Sequence, residues 1–126
     1  MELKSEVVEL RDGRKITVTE ANWSADVHLS ELERAASKKE EKDPSKQFYI
    51  VAVYPKLAAC SSGEVPTEEE AFGMPTIEHE KWYAAAKRIN PSWFVPMEEA
   101  AKKLTDEALK KKETKQTKST SVSTKS

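Results

Sequence analysis

Apolar positions alternate with polar ones near the N-terminus and then recur at a helical spacing, which predicts a short β segment followed by helices. In the first segment Val8, Leu10, Ile16 and Val18 fall on one face, with charged and hydroxyl residues on the other. The two halves flank Asp12-Gly13, a pair suited to the positive φ angles of a type I′ turn, so a β-hairpin is expected. An isolated hairpin is marginal in water, and its apolar face must therefore pack on the helices that follow.

A first helix is expected over 22–38, with Trp23, Val27, Leu32, Ala35 and Ala36 near one stripe. The run Lys38-Lys39-Glu40-Glu41-Lys42 interrupts it, and Asp43-Pro44 restarts the chain as an N-cap followed by proline at the first helical position. The helix so opened carries Phe48, Ile50, Val51, Ala52, Val53, Leu57, Ala58 and Ala59. Apolar around most of its circumference, it is the expected central buried element, kinked at Pro55 and ended by Ser61-Ser62-Gly63. Thr67 with Glu70 forms a capping box that opens a short turn ending at Gly73. A helix over 77–89 contains Trp82, Tyr83, Ala85, Ala86 and Ile89, and Asn90-Pro91 stops it.

Residues 92–96 then read as a tight aromatic connection, and a last amphipathic helix is expected over 97–112, with Met97, Ala100, Ala101, Leu104 and Ala108 on one side. Beyond Glu113 the sequence is nearly all Lys, Thr, Ser and Gln, a composition that cannot offset the entropy of ordering. The expected fold is α+β and mainly α-helical: an N-terminal β-hairpin packed on a small helical bundle, one domain over 1–112, and a disordered tail over 113–126.

Charge sharpens this division. Residues 1–109 hold 15 Lys and Arg against 21 Asp and Glu, whereas residues 110–126 hold six Lys against one Glu. The body thus has no basic face of the kind that grips a nucleic-acid duplex, and a nucleic-acid partner is not expected. No apolar run approaches the ~20 residues of a membrane span, the N-terminus lacks the plan of a signal peptide, and a single cysteine, Cys60, rules out an internal disulfide. A cytoplasmic setting is expected.

The inventory for catalysis is thin. His28 and His79 are the two histidines, each on an expected helix among charged neighbours, and with Cys60 they offer no paired metal-ligand spacing. Cys60 follows Ala58 and Ala59 and reads as a small buried hydrophobe with no base beside it. Glu68, Glu69 and Glu70 are accounted for by capping and the helix dipole, and the three glycines sit at turns rather than in a phosphate loop. No catalytic residue, metal or cofactor is expected. The aromatics are more telling: Trp82 reads as core, as does Trp93 on the simplest reading. Trp23, Tyr83, Trp93 and Phe94 are nonetheless the candidates for a partner-binding surface, because Trp and Tyr often anchor interfaces.

The order of parts resembles a known family. Leu10 to Glu20 leads into a helix; an apolar helix ends Tyr54-Pro55-Lys56-Leu57-Ala58-Ala59-Cys60; Gly63 to Glu70 follows; Trp82-Tyr83 and Asn90-Pro91-Ser92-Trp93-Phe94 close the series. Over residues 6–95 this resembles the small tail assembly chaperones of long-tailed, siphovirus-like bacteriophages. The resemblance implies a non-enzymatic helper in the host cytoplasm that binds the helical tape measure protein, recruits tail tube subunits and is absent from the finished virion. A possible homo-oligomer is consistent with so thin a core. The competing classes are a head–tail connector or capsid accessory subunit retained in the virion, and a nucleic-acid accessory factor using the lysine tail.

The resemblance also implies a second, longer form made by ribosomal frameshifting near the end of the short frame. Lys110-Lys111-Lys112 offers a place for it, since lysine codons can build an A-rich slippery heptamer; the plainer account of the run is that it complements a helix dipole. Mass spectrometry of infected cells is expected to find a longer product sharing residues 1 to about 112. A search yielding only the 126-residue chain rejects this expectation.

Overall fold

A computed structural model describes residues 2–103. The fold is mixed α+β and mainly helical, with a three-stranded antiparallel sheet at the N-terminal end. The chain divides after Phe94 into two units. The expected boundary at 112 and the tail beyond it lie outside the described residues.

Strands β1 (Ser5–Glu9) and β2 (Lys15–Thr19) pair with Val8 opposite Ile16 and Val7 opposite Thr17. This register puts Val8, Ile16 and Val18, with Leu10 just beyond β1, on the buried face, as the alternation predicts. The turn differs from expectation. Only Gly13, at φ 94°, has a positive φ, whereas a type I′ turn needs two such residues. Gly13 N–H donates to Leu10 C=O at 2.9 Å and Leu10 N–H to Arg14 C=O at 2.8 Å, so Arg11-Asp12-Gly13 forms a three-residue loop. It is a type I turn closed by a glycine bulge. Asp12 stays right-handed because its carboxylate accepts from the Arg14 amide at 3.1 Å and from Arg14 Nε at 2.9 Å.

A third strand, β3 (Ser61–Gly63), occupies the segment expected only to end a helix. It pairs antiparallel to β2, with Ile16 opposite Gly63 and Val18 opposite Ser61. Ser-Ser-Gly has no strand propensity to announce it; tertiary pairing to the apolar β2 makes it a strand. Gly63 is required there: its φ is 90°, and a Cβ would lie 2.9 Å from the Lys15 carbonyl oxygen.

Helix α1 (Trp23–Ser37) starts at Asn22, whose side chain accepts from Ala25 N–H at 2.9 Å. Its buried residues are Leu29 and Ala36; Trp23 and Val27, expected on the inward stripe, are exposed. Helix α2 (Pro44–Phe48), a π-helical turn (Tyr49–Val53) and α3 (Tyr54–Ala59) run on from one another behind the Asp43 cap. The distortion expected at Pro55 takes the form of this π-turn. Proline has no N–H for the carbonyl four residues back and its ring crowds that carbonyl, so the ladder widens and Tyr54 N–H reaches Tyr49 C=O instead. Lys56 Nζ satisfies the Ala52 carbonyl at 3.0 Å and pairs with Glu33 of α1 at 3.1 Å. Ile50, Val53 and Leu57 are buried, but Phe48 is exposed and Val51 and Ala52 half-buried, so this element is less central than its composition predicts.

The short α4 (Glu68–Gly73) has the expected capping box, with Glu70 N–H to Thr67 Oγ1 at 3.2 Å and Thr67 N–H to Glu70 Oε1 at 3.0 Å. The centre of the fold is α5 (Thr76–Ile89) against the sheet. Trp82, Ala85 and Ala86 are fully buried, and Trp82 Nε1 donates to Ser61 Oγ of β3 at 2.9 Å. The two alanines let the backbone approach the sheet while the indole fills the space beside them. Residues 91–103 are helical, so the expected aromatic connection over 92–96 is instead part of a helix that starts directly at Pro91.

The two positive-φ glycines separate two costs. Gly13→Ala adds a Cβ to open space and is expected to destabilise by about 1–2 kcal/mol from backbone strain. Gly63→Ala adds a clash with the Lys15 carbonyl to that strain and is expected to cost about 3 kcal/mol. Urea unfolding of both variants checks the order; equal costs would mean that β3 does not hold this register.

Candidate protein-binding surface

Two groups of aromatic side chains reach the surface. The first is a run of rings that begins in the core. Phe94 is fully buried, and Tyr83 meets it edge to face with centroids 5.3 Å apart. Tyr83 lies one turn after His79 on α5, and the two rings stack at 6.4 Å. His79 meets Tyr49 of the π-turn at 5.4 Å, and Tyr49 meets Phe72 of α4 at 5.5 Å. Phe72 is exposed and carries Lys46 Nζ 5.8 Å above its ring. The π-turn serves this geometry by bringing Tyr49 toward α5, where its hydroxyl makes a 2.7 Å hydrogen bond with His79 Nε2.

Burial governs the chemistry of this run. It holds the His79 imidazole below its usual pKa, outweighing nearby Glu80, and pushes the Tyr49 hydroxyl up, with Tyr54 and Glu68 adding to the shift. His79 is therefore neutral near pH 7 and built into an aromatic cluster, rather than on the solvated helix face its charged neighbours predict.

The second group lies at the start of α1. Trp23 is 81% exposed, and Val27, one turn on, is 46% exposed. Between them Asp26 accepts from Trp93 Nε1 at 2.8 Å, so Trp93, half-buried, is tied to the same part of α1. Of the four residues expected at a partner surface, Trp23 is open, Trp93 and Tyr83 are partly covered, and Phe94 is a core residue. Phe94 is buried because the helix starts at Pro91 and turns its ring onto Tyr83. Phe72, Tyr49 and His79 were not among the expected residues. The one sequence signal for Phe72 is that a six-residue helix cannot bury both of its consecutive apolar residues, and Ala71 is the one buried.

Among the described residues no cluster of three or more His, Cys, Asp or Glu is placed to hold a metal ion. Cys60 is buried as expected, and burial pushes its thiol up to about 11, leaving little thiolate at neutral pH. No helix among the described residues is long and apolar enough to cross a membrane. Comparison with protein-family models, with curated proteins and with solved structures gives no match to this chain.

The half-buried imidazole of His79 makes stability depend on pH. Its folded pKa lies below that of the unfolded chain, so its contribution is complete above about pH 6.5 and is lost as pH falls toward the folded value. Denaturant unfolding at pH 7.5 and 5.5 is expected to show lower stability at the acid end. His79→Gln is expected to be less stable at pH 7.5 and to lose part of this slope; an unchanged slope would place the proton uptake elsewhere.

Proposed function

We propose that this protein is a tail assembly chaperone of a long-tailed bacteriophage. It binds the helical tape measure protein in the host cytoplasm, helps recruit tail tube subunits, and leaves before the virion is complete. The order of short motifs over residues 6–95 supports this reading, and so does a body whose apolar rings are not all spent on its own core. The observation that carries it is Trp23, four-fifths exposed beside Val27 on one face of α1. A soluble chain gains nothing for its fold from an open indole, whereas a long helical partner with apolar stripes can cover it.

Trp23→Ser is expected to leave the melting temperature unchanged, because the ring is outside the core. It is expected to weaken binding to a co-expressed tape measure fragment by tenfold or more, roughly the loss seen at an aromatic hot spot. Mass spectrometry of purified virions is the second check. Finding the chain there in stoichiometric amounts would replace this reading with that of a structural connector.

A further inference from the structure

A cleft of about 280 Å³ opens between the hairpin tip and the junction of α4 with α5. Leu10, Met74 and Pro75 give it an apolar lining. Four charged residues, Arg11, Asp12, Arg14 and Glu78, complete it, and three of these are already answered. Arg14 pairs with Asp12 at 2.9 Å and with Glu70 at 3.1 Å. Glu78, buried, pairs with Lys81 at 2.8 Å and accepts the Arg11 main-chain N–H. The exposed Arg11 guanidinium makes no ion pair within 4 Å among the described residues; its charge reaches Glu78 only at longer range, and it stands at an apolar opening.

We propose that this cleft receives an apolar side chain from an amphipathic helix of a partner protein, while an Asp or Glu on the same face of that helix meets Arg11. The volume lies just under the range of pockets that enclose small organic ligands and suits a side chain. The main chain around the cleft narrows the choice of partner segment. Leu10 and Gly13 N–H groups are spent within the loop, Arg11 N–H on Glu78 and Arg14 N–H on Asp12. These amides are then free neither to cradle a terminal carboxylate nor to extend a ladder to an added strand. A helix, which satisfies its own backbone, needs neither. Burial of the apolar side chain supplies attraction, and the carboxylate sets which face and direction dock. This inference concerns the chemistry of the partner segment and stands whether or not that partner is a tape measure protein.

The test uses the full chain and two fluorescein-labelled, stapled alanine-rich helices, alike except that one carries Leu with Glu a turn away and the other Leu with Lys. Fluorescence anisotropy is expected to show the Leu/Glu helix bound about two- to fivefold more tightly, as befits an exposed ion pair. Arg11→Glu, an exposed substitution, is expected to reverse that preference, and Met74→Asp to abolish binding of both helices. Failure of the Leu/Glu helix to bind the native chain, an unchanged preference in Arg11→Glu, or full binding by Met74→Asp overturns the proposal.

Discussion

Helix α5 is held to the sheet by two buried polar side chains about 18 Å apart along its axis. Near its start Glu78 accepts the Arg11 amide from the hairpin loop, and just past its end Asn90 accepts Ala21 N–H at 2.7 Å and donates to the Thr19 carbonyl at 3.1 Å. Between them the contact is mainly apolar, Trp82 and two alanines against Val8, Ile16 and Val18, with the indole N–H donating to Ser61 Oγ of β3. Apolar burial alone would tolerate a helix sliding along the sheet. A buried amide or carboxylate that lost its partner would not, since an unsatisfied group of this kind costs about 1–3 kcal/mol. The Glu78 carboxylate stays ionised in this position because Lys81, and then the Arg11 amide, favour the charged form over burial. With α5 fixed in this way, the His79–Tyr83 edge and the cleft beside Arg11 both acquire definite positions.

How much of this can be read from the residues depends on the range of the forces involved. The hairpin, the capping box at Thr67 and the limits of α1 and α5 follow from local pattern, and the structure places them within a residue or two of expectation. Strand β3 does not follow, because Ser61-Ser62-Gly63 becomes extended only through a partner more than forty positions away. The turn departs from the expected type I′ for a local reason: Asp12 can adopt positive φ, but its own side chain favours the alternative by binding the Arg14 amide. Among the candidate surface residues, Trp23 is open and Phe94 is not, although both are aromatic residues near helix starts. Periodicity could not separate them, since the difference lies in whether Tyr83 is there to receive the ring.

A core this small leaves large side chains with little room. Trp82 and Phe94 occupy its centre, and Tyr83, His79 and Tyr49, all half-buried, link Phe94 to the exposed Phe72 beneath Lys46. Such a series gives the surface apolar character without loosening the interior, because each exposed ring is braced by a covered one. Lys46 sets its ammonium charge over one face of the outermost ring.

The order of strands β1-β2-β3 has a consequence for the way the chain reaches this state. The first two strands meet across three residues, a closure that is fast and entropically cheap. The third arrives only after α1, α2, the π-turn and α3 have been laid down between β2 and Ser61, a far longer excursion. Since a two-stranded ribbon is not stable in water by itself, the early hairpin must persist by repeated formation until β3 and the Trp82 face of α5 close on it together. The local and distant halves of the sheet therefore become stable in one step. By loop length alone, the return of residues 61–63 to β2 is the slower and costlier of the two closures.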